Sequence, residues 1–204
     1  IVVVDDGSDD DTPSVLQACR AAQPRLRVLR HAHRCGQSAT TSSGVRAARA
    51  HWVVTIDGDG QNDPADIMRL FEKMDNSNDR VMLIIGQRVY RADGGTKRLS
   101  SRIANAVRRW VLKDGTPDSA CGIKLFARKT YMDLPQFDHM HRFLPALVQR
   151  LGGDTVSVVV NHRARNGGVS KYGTLDRLWV GIVDLLGVWW LKRRYTATTI
   201  SEIE

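Results

Sequence analysis

Two acidic turns, each closing a run of β-branched apolar residues, constrain this chain more than anything else in it. Ile1-Val2-Val3-Val4 runs straight into Asp5-Asp6-Gly7-Ser8, and Trp52-Val53-Val54-Thr55-Ile56 runs into Asp57-Gly58-Asp59-Gly60-Gln61. Continuously apolar strands suit a parallel sheet covered on both faces. Strand patterns fall at 1–5, 26–30, 52–57, 81–86, 122–127 and 154–161, and helical periodicity at 12–23, 38–50, 64–75, 97–112, 138–151 and 174–191. Pro13 and Pro64 stand where a first helical turn would begin. This alternation predicts a doubly wound, Rossmann-like α/β domain, a mostly parallel sheet flanked by helices. Ligands of such sheets bind beyond the carboxyl ends of the strands. Both acidic turns fall at such ends.

The chain's 204 residues suffice for one domain with a real core, and 42% hydrophobic with 25% charged residues excludes disorder. A net charge of +8 points to an anionic partner, either phosphorylated substrates or an acidic membrane surface; a merely solubilising surface is the alternative. No aromatic-interleaved basic stripe or nucleic-acid motif is present, so nucleic acid is not expected. Cys19, Cys35 and Cys121 are widely spaced without a C-x-x-C pair. Neither a disulfide framework nor a zinc site is expected, and a reducing cytosolic setting fits. The strand run begins at Ile1 with no Met or basic leader before it, as if the chain starts inside a domain.

Asp5-Asp6-Gly7-Ser8 can serve as a plain strand-to-helix turn, with Ser8 or Thr12 as cap. Alternatively, a carboxylate there accepts a hydrogen bond from the imide of a nucleotide base. Asp57 and Asp59, two residues apart, point the same way when the chain is extended. With Gln61 they offer hard oxygen ligands for Mg²⁺ or Mn²⁺, which such sites share with substrate phosphates. Between Gly86 and Lys113 there are eight basic residues and one acid, Asp93. Arg108, Arg109 and Lys113 read as a solvated helix face. Arg88, at a strand end, reads as a phosphate ligand. Asp118 either orients a substrate or caps a turn, and His141 reads as a packed histidine on an apolar helix.

The stretches VVVDDGSDDDT, GQSATTSSGVRAA, TIDGDGQNDP, IGQR, KRLSSRIAN, DSACGIKLFAR, MHRFLPAL and RNGGVSKYG occur in this order over most of the chain. In them the sequence resembles family 2 glycosyltransferases of the GT-A fold, in particular the dolichyl-phosphate mannose synthase and polyprenyl-phosphate glycosyltransferase branch. The resemblance implies that Asp6, with the backbone near Val4, binds the base of a nucleotide sugar. It implies that Asp57, Gly58, Asp59 and Gln61 surround the metal and diphosphate, and that Arg88, Lys97 and Ser101 meet an acceptor phosphate. Arg165, Ser170 and Lys171 would close over the nucleotide on a mobile loop containing Gly167 and Gly168. Asp59, Arg88 and Asp118 are the residues expected to carry catalysis. The family's first strand, with its proline-tyrosine-asparagine-glutamate segment, would lie upstream of Ile1. The asparagine that usually precedes the glycine-rich stretch is not found among His31 to Cys35.

Residues 178–191, LWVGIVDLLGVWWL, are fourteen in number and precede Lys192-Arg193-Arg194. A bilayer span needs about 20 residues, so this is not one. Trp179, Trp189 and Trp190 beside basic residues suit a lipid headgroup zone; docking on the protein's own core is the alternative. The expected organisation is a glycosyltransferase domain at 1–172 and an amphipathic interface helix with tail at 173–204. The expected reaction is inverting transfer of a hexose from a GDP- or UDP-linked sugar to a polyprenyl phosphate. Its setting is the cytoplasmic face of a membrane, with the protein held peripherally. A processive polysaccharide synthase is disfavoured, since Arg109-Trp110 follows Ala106 and lacks the glutamine of a Q-x-x-R-W signature. An inactive membrane-binding fragment is the other alternative. No G-x-G-x-x-G follows the first strand, which excludes a dinucleotide-binding dehydrogenase.

Overall fold

The computed structural model describes the backbone of residues 1–88, 95–163 and 174–196, and their side chains except at 95–103 and 174–178. Six strands and seven α-helices follow one another along it. They are β1 (Val2–Asp5), α1 (Thr12–Ala22), β2 (Arg27–Arg30), α2 (Gln37–Ala47), β3 (Trp52–Thr55), α3 (Asp66–Asp75) and β4 (Val81–Arg88). After these come α4 (Gly95–Leu112), β5 (Lys124–Ala127), α5 (Arg128–Met132), α6 (Leu144–Arg150), β6 (Asp154–Val160) and α7 (Thr174–Arg193).

The strands form two sheets among the described residues. β1 and β2 pair in parallel, while the second sheet has the order β3-β5-β4-β6. β4 pairs with β6 in parallel, and β5 runs antiparallel to both β3 and β4. Three of its four strands therefore share a direction, and β5 alone is reversed. That reversal positions the site. It brings the entry to β5, Cys121 to Lys124, to the edge where β3 and β4 leave the sheet.

The successive pairs Leu83-Ile84 and Leu125-Phe126 of the central strands feed opposite faces, as a pleated strand requires. Leu83 and Phe126 belong to one core with Tyr131, Leu144, Leu147 and Val188. Ile84 and Leu125 belong to the other, with Leu70 of α3, Ile123 and Val160. Each core lies between the sheet and its covering helices, so the molecule is a layered α/β structure.

The stretch 138–151 is not one continuous helix. His139 takes a left-handed conformation (φ 63°), a single 3-10 turn spans Met140–Arg142, and α6 begins only at Leu144. Pro145 explains the break: it has no N–H to donate backwards, and its ring excludes the preceding turn. The short helix α5 follows β5 without a turn signal in the sequence.

α7 docks through one stripe and leaves the rest bare. Val188 is buried in the core, and Leu185 packs against it. Asp184 faces inward too, with Oδ2 at 3.0 Å from His139 Nδ1. Lys192 donates to Gln149 Oε1 at 2.9 Å, and Arg150 donates to the Leu191 carbonyl at 3.1 Å. Trp179, Val183, Leu186 and Trp190 are exposed, as are Val107 and Trp110 on α4. No described helix is long and apolar enough to cross a membrane.

Candidate functional site

Within the first acidic turn the two carboxylates divide their work. Asp5 is buried, accepting from the Ser8 N–H at 3.0 Å and pairing with Arg30 Nε at 3.2 Å. It shapes the turn. Asp6 is half-exposed and accepts from the backbone N–H groups of Cys35 (2.9 Å) and Gly36 (2.8 Å), with His31 Nδ1 at 2.7 Å. Burial works against its charged form, but the hydrogen bonds from Cys35, His31 and Gly36 prevail and hold its carboxyl below the usual range. A carboxylate has about four lone-pair sites, so Asp6 keeps capacity for one further donor. Val4 pairs with Leu29 in the β1–β2 ladder.

The second acidic turn leaves β3 beside the reversed strand. The Asp57 carboxylate lies against the Cα of Gly122, where any side chain would collide with it. Thr55 Oγ1 donates to the Gly122 carbonyl at 2.8 Å, which ties the two segments together. Gln37, the first residue of α2, donates to Asp57 Oδ1 at 2.9 Å. Burial raises the Asp57 carboxyl above the ordinary carboxylate range, and the like charge of Asp59 adds to it. Lys124, Arg88 and Gln37 oppose that shift. Asp59 accepts from the Gln61 N–H at 3.1 Å. Gly58 and Gly60 are exposed.

The far side of this loop is braced by the end of β6. The Arg163 N–H donates to the Gln61 carbonyl at 2.9 Å, and Asp63 pairs with Arg163 at 2.7 Å. Asp66, buried at the start of α3, accepts from the Asn161 N–H at 2.7 Å. The Gln61 side-chain nitrogen lies 3.4 Å from His162 Nε2, leaving the amide oxygen as the group that could meet a cation.

Arg88 ends β4 and meets Asp118 as a two-pronged pair, Nε to Oδ2 at 2.7 Å and Nη2 to Oδ1 at 2.9 Å. Although burial disfavours its charge, Asp118 raises the guanidinium's pKa. In the sequence these two residues stand 30 positions apart with no motif linking them. The structure brings them together.

Lys124 is buried and donates to the Cys121 carbonyl. Burial lowers its pKa, while Cys121, Asp57 and Asp118 work in the other direction. Neither Lys124 nor Gln37 is singled out by a local sequence motif. The signal for Lys124 was a lysine interrupting the apolar strand run ILF within DSACGIKLFAR, where an unpaired charge is costly.

His141 accepts or donates with Ser38 Oγ at 2.8 Å, one residue beyond Gln37. Burial pushes its pKa down to about 3, and the nearby charges of Lys124, Arg142 and His139 add to the effect. It is a packed histidine, but it lies in the 3-10 turn Met140–Arg142 rather than on a helix, and it packs against the site.

Arg108 corrects another expectation. It is buried rather than solvated, pairs with Asp114 at 3.0 Å, and donates to Ser119 Oγ and the Thr116 carbonyl. Arg109 on the same helix is exposed. Arg108 thus secures the loop that carries Asp118. The side chains of Lys97 and Ser101, together with Arg165, Gly167, Gly168, Ser170 and Lys171, lie outside the described residues.

The donor set at Asp57 and Asp59 fits a hard divalent cation. Two carboxylates close enough to perturb one another, one of them partly desolvated, favour a cation that neutralises both.

The sequence matches the model of the glycosyl transferase family 2 over residues 1–134. The chain belongs to this family. It is 32% identical over 204 residues to a dodecaprenyl-phosphate galacturonate synthase of Rhizobium johnstonii, covering 95% of this chain and 57% of that protein. It is 30% identical over 177 residues to an undecaprenyl-phosphate 4-deoxy-4-formamido-L-arabinose transferase of Pseudomonas savastanoi, covering 86% and 51%. The chain thus spans about half the length of these curated relatives. Both belong to the polyprenyl-phosphate branch that the motifs resemble; neither supports a dolichyl-phosphate mannose synthase in particular. Among solved structures, glucosyl-3-phosphoglycerate synthase from Mycobacterium tuberculosis, in complex with Mg²⁺ and uridine diphosphate, aligns with a TM-score of 0.65 at 21% identity. The alignment covers 94% of this chain and 67% of that one. At this identity the likeness establishes the GT-A-like α/β fold.

Proposed function

We propose that this family 2 glycosyltransferase chain carries the donor and acceptor-phosphate sites of an enzyme that transfers a sugar from a nucleotide sugar to a polyprenyl phosphate. The observation that carries this reading is the meeting of Asp57, Arg88, Asp118 and Lys124 at one sheet edge. There a carboxylate with cation-binding character stands within electrostatic reach of the buried Lys124 and the partly buried Arg88.

Bringing two anions together is the main task of such a reaction. An acceptor phosphate is already ionised at neutral pH and needs no strong base; what it needs is positioning and counter-charge. Its oxygen attacks the anomeric carbon from the face opposite the nucleoside diphosphate, forming the new C–O bond as the old one breaks. Configuration inverts, and the diphosphate departs with the electron pair. In this reading Arg88, held by Asp118, directs its remaining N–H toward the acceptor phosphate, and Lys97 and Ser101 join it there as the family resemblance implies. Asp6 and the Val4 backbone read the base, and Gly58 lets the diphosphate approach. Asp57, Asp59 and Gln61 would hold Mg²⁺ or Mn²⁺, which when bound neutralises the departing diphosphate. Arg165 and Lys171 cover the donor in this reading.

Residues 173–204 are the membrane-interface element in this reading, in which α7 rests on the 1–172 domain through Val188 and presents Trp179 and Trp190 outward. A cytoplasmic membrane face suits the nucleotide-sugar donor.

A transfer assay with labelled UDP- and GDP-sugars, undecaprenyl phosphate and Mn²⁺ tests the reading. A chelator-sensitive lipid-linked sugar is the expected product. No product with any donor, together with no Mn²⁺-dependent heat on titration with UDP or GDP, would sink it.

A further inference from the structure

A second cluster of metal-ligating groups lies at the ends of β1 and β2. These strands are parallel and in register, Asp5 opposite Arg30, so residues 6 and 31 leave adjacent strand ends side by side. Gly7, at φ 68°, presses this turn onto the next loop, and a Cβ there would come within 2.8 Å of the His33 carbonyl carbon. As a result one ligand atom from each of Asp6, His31 and Cys35 lies within 4.8 Å of the others.

We propose that Asp6, His31 and Cys35 form a binding site for a thiolate-preferring transition-metal ion of the Zn²⁺ class, distinct from the hard-cation site at Asp57 and Asp59. A thiolate, an imidazole and a carboxylate are the donors that Zn²⁺ accepts, and Mg²⁺ does not favour the sulfur. All three residues are half-buried, which leaves solvent access for entry and for a fourth ligand. The residue spacing gave no hint of it, because the ligands come from two strand ends rather than one C-x-x-C turn.

The surroundings are already arranged for the exchange of proton for metal. The Cys35 and Gly36 N–H groups fix the Asp6 carboxylate in one orientation. His31 Nε2 lies 2.9 Å from Ser43 Oγ, and a hydroxyl can either donate or accept. When Nδ1 turns from its 2.7 Å contact with Asp6 to a shared ion, Nε2–H donates to Ser43, a partner of the kind that orients metal-bound imidazoles. Cys35 Sγ contacts the His33 carbonyl at 3.2 Å, a weak S–H bond.

A consequence follows if Asp6 reads the nucleotide base, and it rests on that proposed function. Metal and base then compete for one carboxylate, and Zn²⁺ inhibits donor binding while Mg²⁺ or Mn²⁺ supports it.

Titration of the chain with Co²⁺ tests the site directly through the near-UV thiolate-to-cobalt absorption band. The expected result is a saturable band that Zn²⁺ displaces and excess Mg²⁺ does not. Cys35→Ser should abolish it, Cys19→Ser should leave it, and Ser43→Ala, which touches only the imidazole, should weaken Co²⁺ affinity by about 10-fold. No band, or a band that survives in Cys35→Ser, overturns the site. A final arm adds UDP and Mn²⁺. Loss of the band supports competition, and an unchanged band with UDP demonstrably bound overturns the competition alone. If UDP does not bind at all, the functional reading fails while the metal result stands.

Discussion

Arg88 and Asp118 meet through two near-parallel hydrogen bonds, 2.7 and 2.9 Å, with both side chains largely shielded from water. Such a fork fixes the guanidinium plane as well as its charge. Asp118→Ala should therefore leave a largely shielded cation without its partner, costing up to about 3 kcal/mol of stability. Arg88→Lys keeps the charge but loses the fork. It should lower turnover more than tenfold while leaving Mn²⁺-dependent UDP affinity nearly unchanged. Chemical denaturation and steady-state kinetics read the two effects separately. An Arg88→Lys variant with normal turnover would remove Arg88 from the acceptor site.

Asp57 predicts a trade between stability and function. Its carboxyl is raised by burial and by Asp59, so the folded chain holds that proton more tightly than the unfolded one. Its stabilising contribution is thus present below the unfolded pKa and lost as pH rises through the folded value. At neutral pH, without divalent cation, ionised Asp57 is a net cost. Asp57→Asn keeps an acceptor for Gln37 and removes that cost. The variant should melt higher than wild type in EDTA, yet gain nothing from added Mg²⁺ or Mn²⁺. Melting curves with and without cation decide it; a cation-induced shift retained in the variant would contradict the assignment.

Arg108 and Arg109 show where sequence stops being informative. They are adjacent arginines in one basic helix, and nothing in composition distinguishes them. Arg108 is buried against Asp114, Ser119 and Thr116, whereas Arg109 is exposed. Arg108→Ala should cost about 3–5 kcal/mol and Arg109→Ala under about 0.5 kcal/mol by denaturant unfolding. Equal effects would mean that the Asp118 loop is held by something else.

The placement of the acidic turns, by contrast, is legible in the sequence because they close strands, and a strand end needs only a local pattern. Lys124 was not, since a period-2 pattern identifies a strand without giving its direction. Only the reversal of β5 carries Lys124 to the edge where Asp57 and Arg88 emerge. The contact between Gln37 and Asp57 is likewise a matter of how α2 stacks, invisible to periodicity. The helix break at Pro145 was readable in principle from proline's missing donor.

His141 gives a pH signature. Its folded pKa, about 3, lies below the ordinary histidine value of 6.5. A depressed histidine contributes stability present above the unfolded pKa and lost as pH falls from there toward the folded value. Stability should therefore decline between about pH 6.5 and pH 3 by up to a few kcal/mol. His141→Gln, which can still meet Ser38, should flatten that part of the profile. Melting temperature across this range is the measurement, and an unchanged slope in the variant would assign the acid sensitivity to other groups.

The two sides of α7 should separate cleanly by mutation. Val188 is 1% exposed and belongs to the core, whereas Trp190 is 54% exposed on the opposite side of the helix. Val188→Ala should cost about 1–2 kcal/mol through lost burial and a small cavity, without altering lipid binding while the chain stays folded. Trp190→Ser with Trp179→Ser should leave the melting temperature within a degree or so, since exposed substitutions away from special features change stability by less than about 0.5 kcal/mol. The same pair should sharply reduce sedimentation with anionic phosphatidylglycerol vesicles, and Arg193→Gln with Arg194→Gln should weaken binding in a salt-dependent way. The combination matters because an apolar face and a basic rim contribute differently: buried area sets the salt-insensitive part, and charge sets the rest. Undiminished vesicle binding after removal of both tryptophans would show that α7 is not the element that meets the membrane.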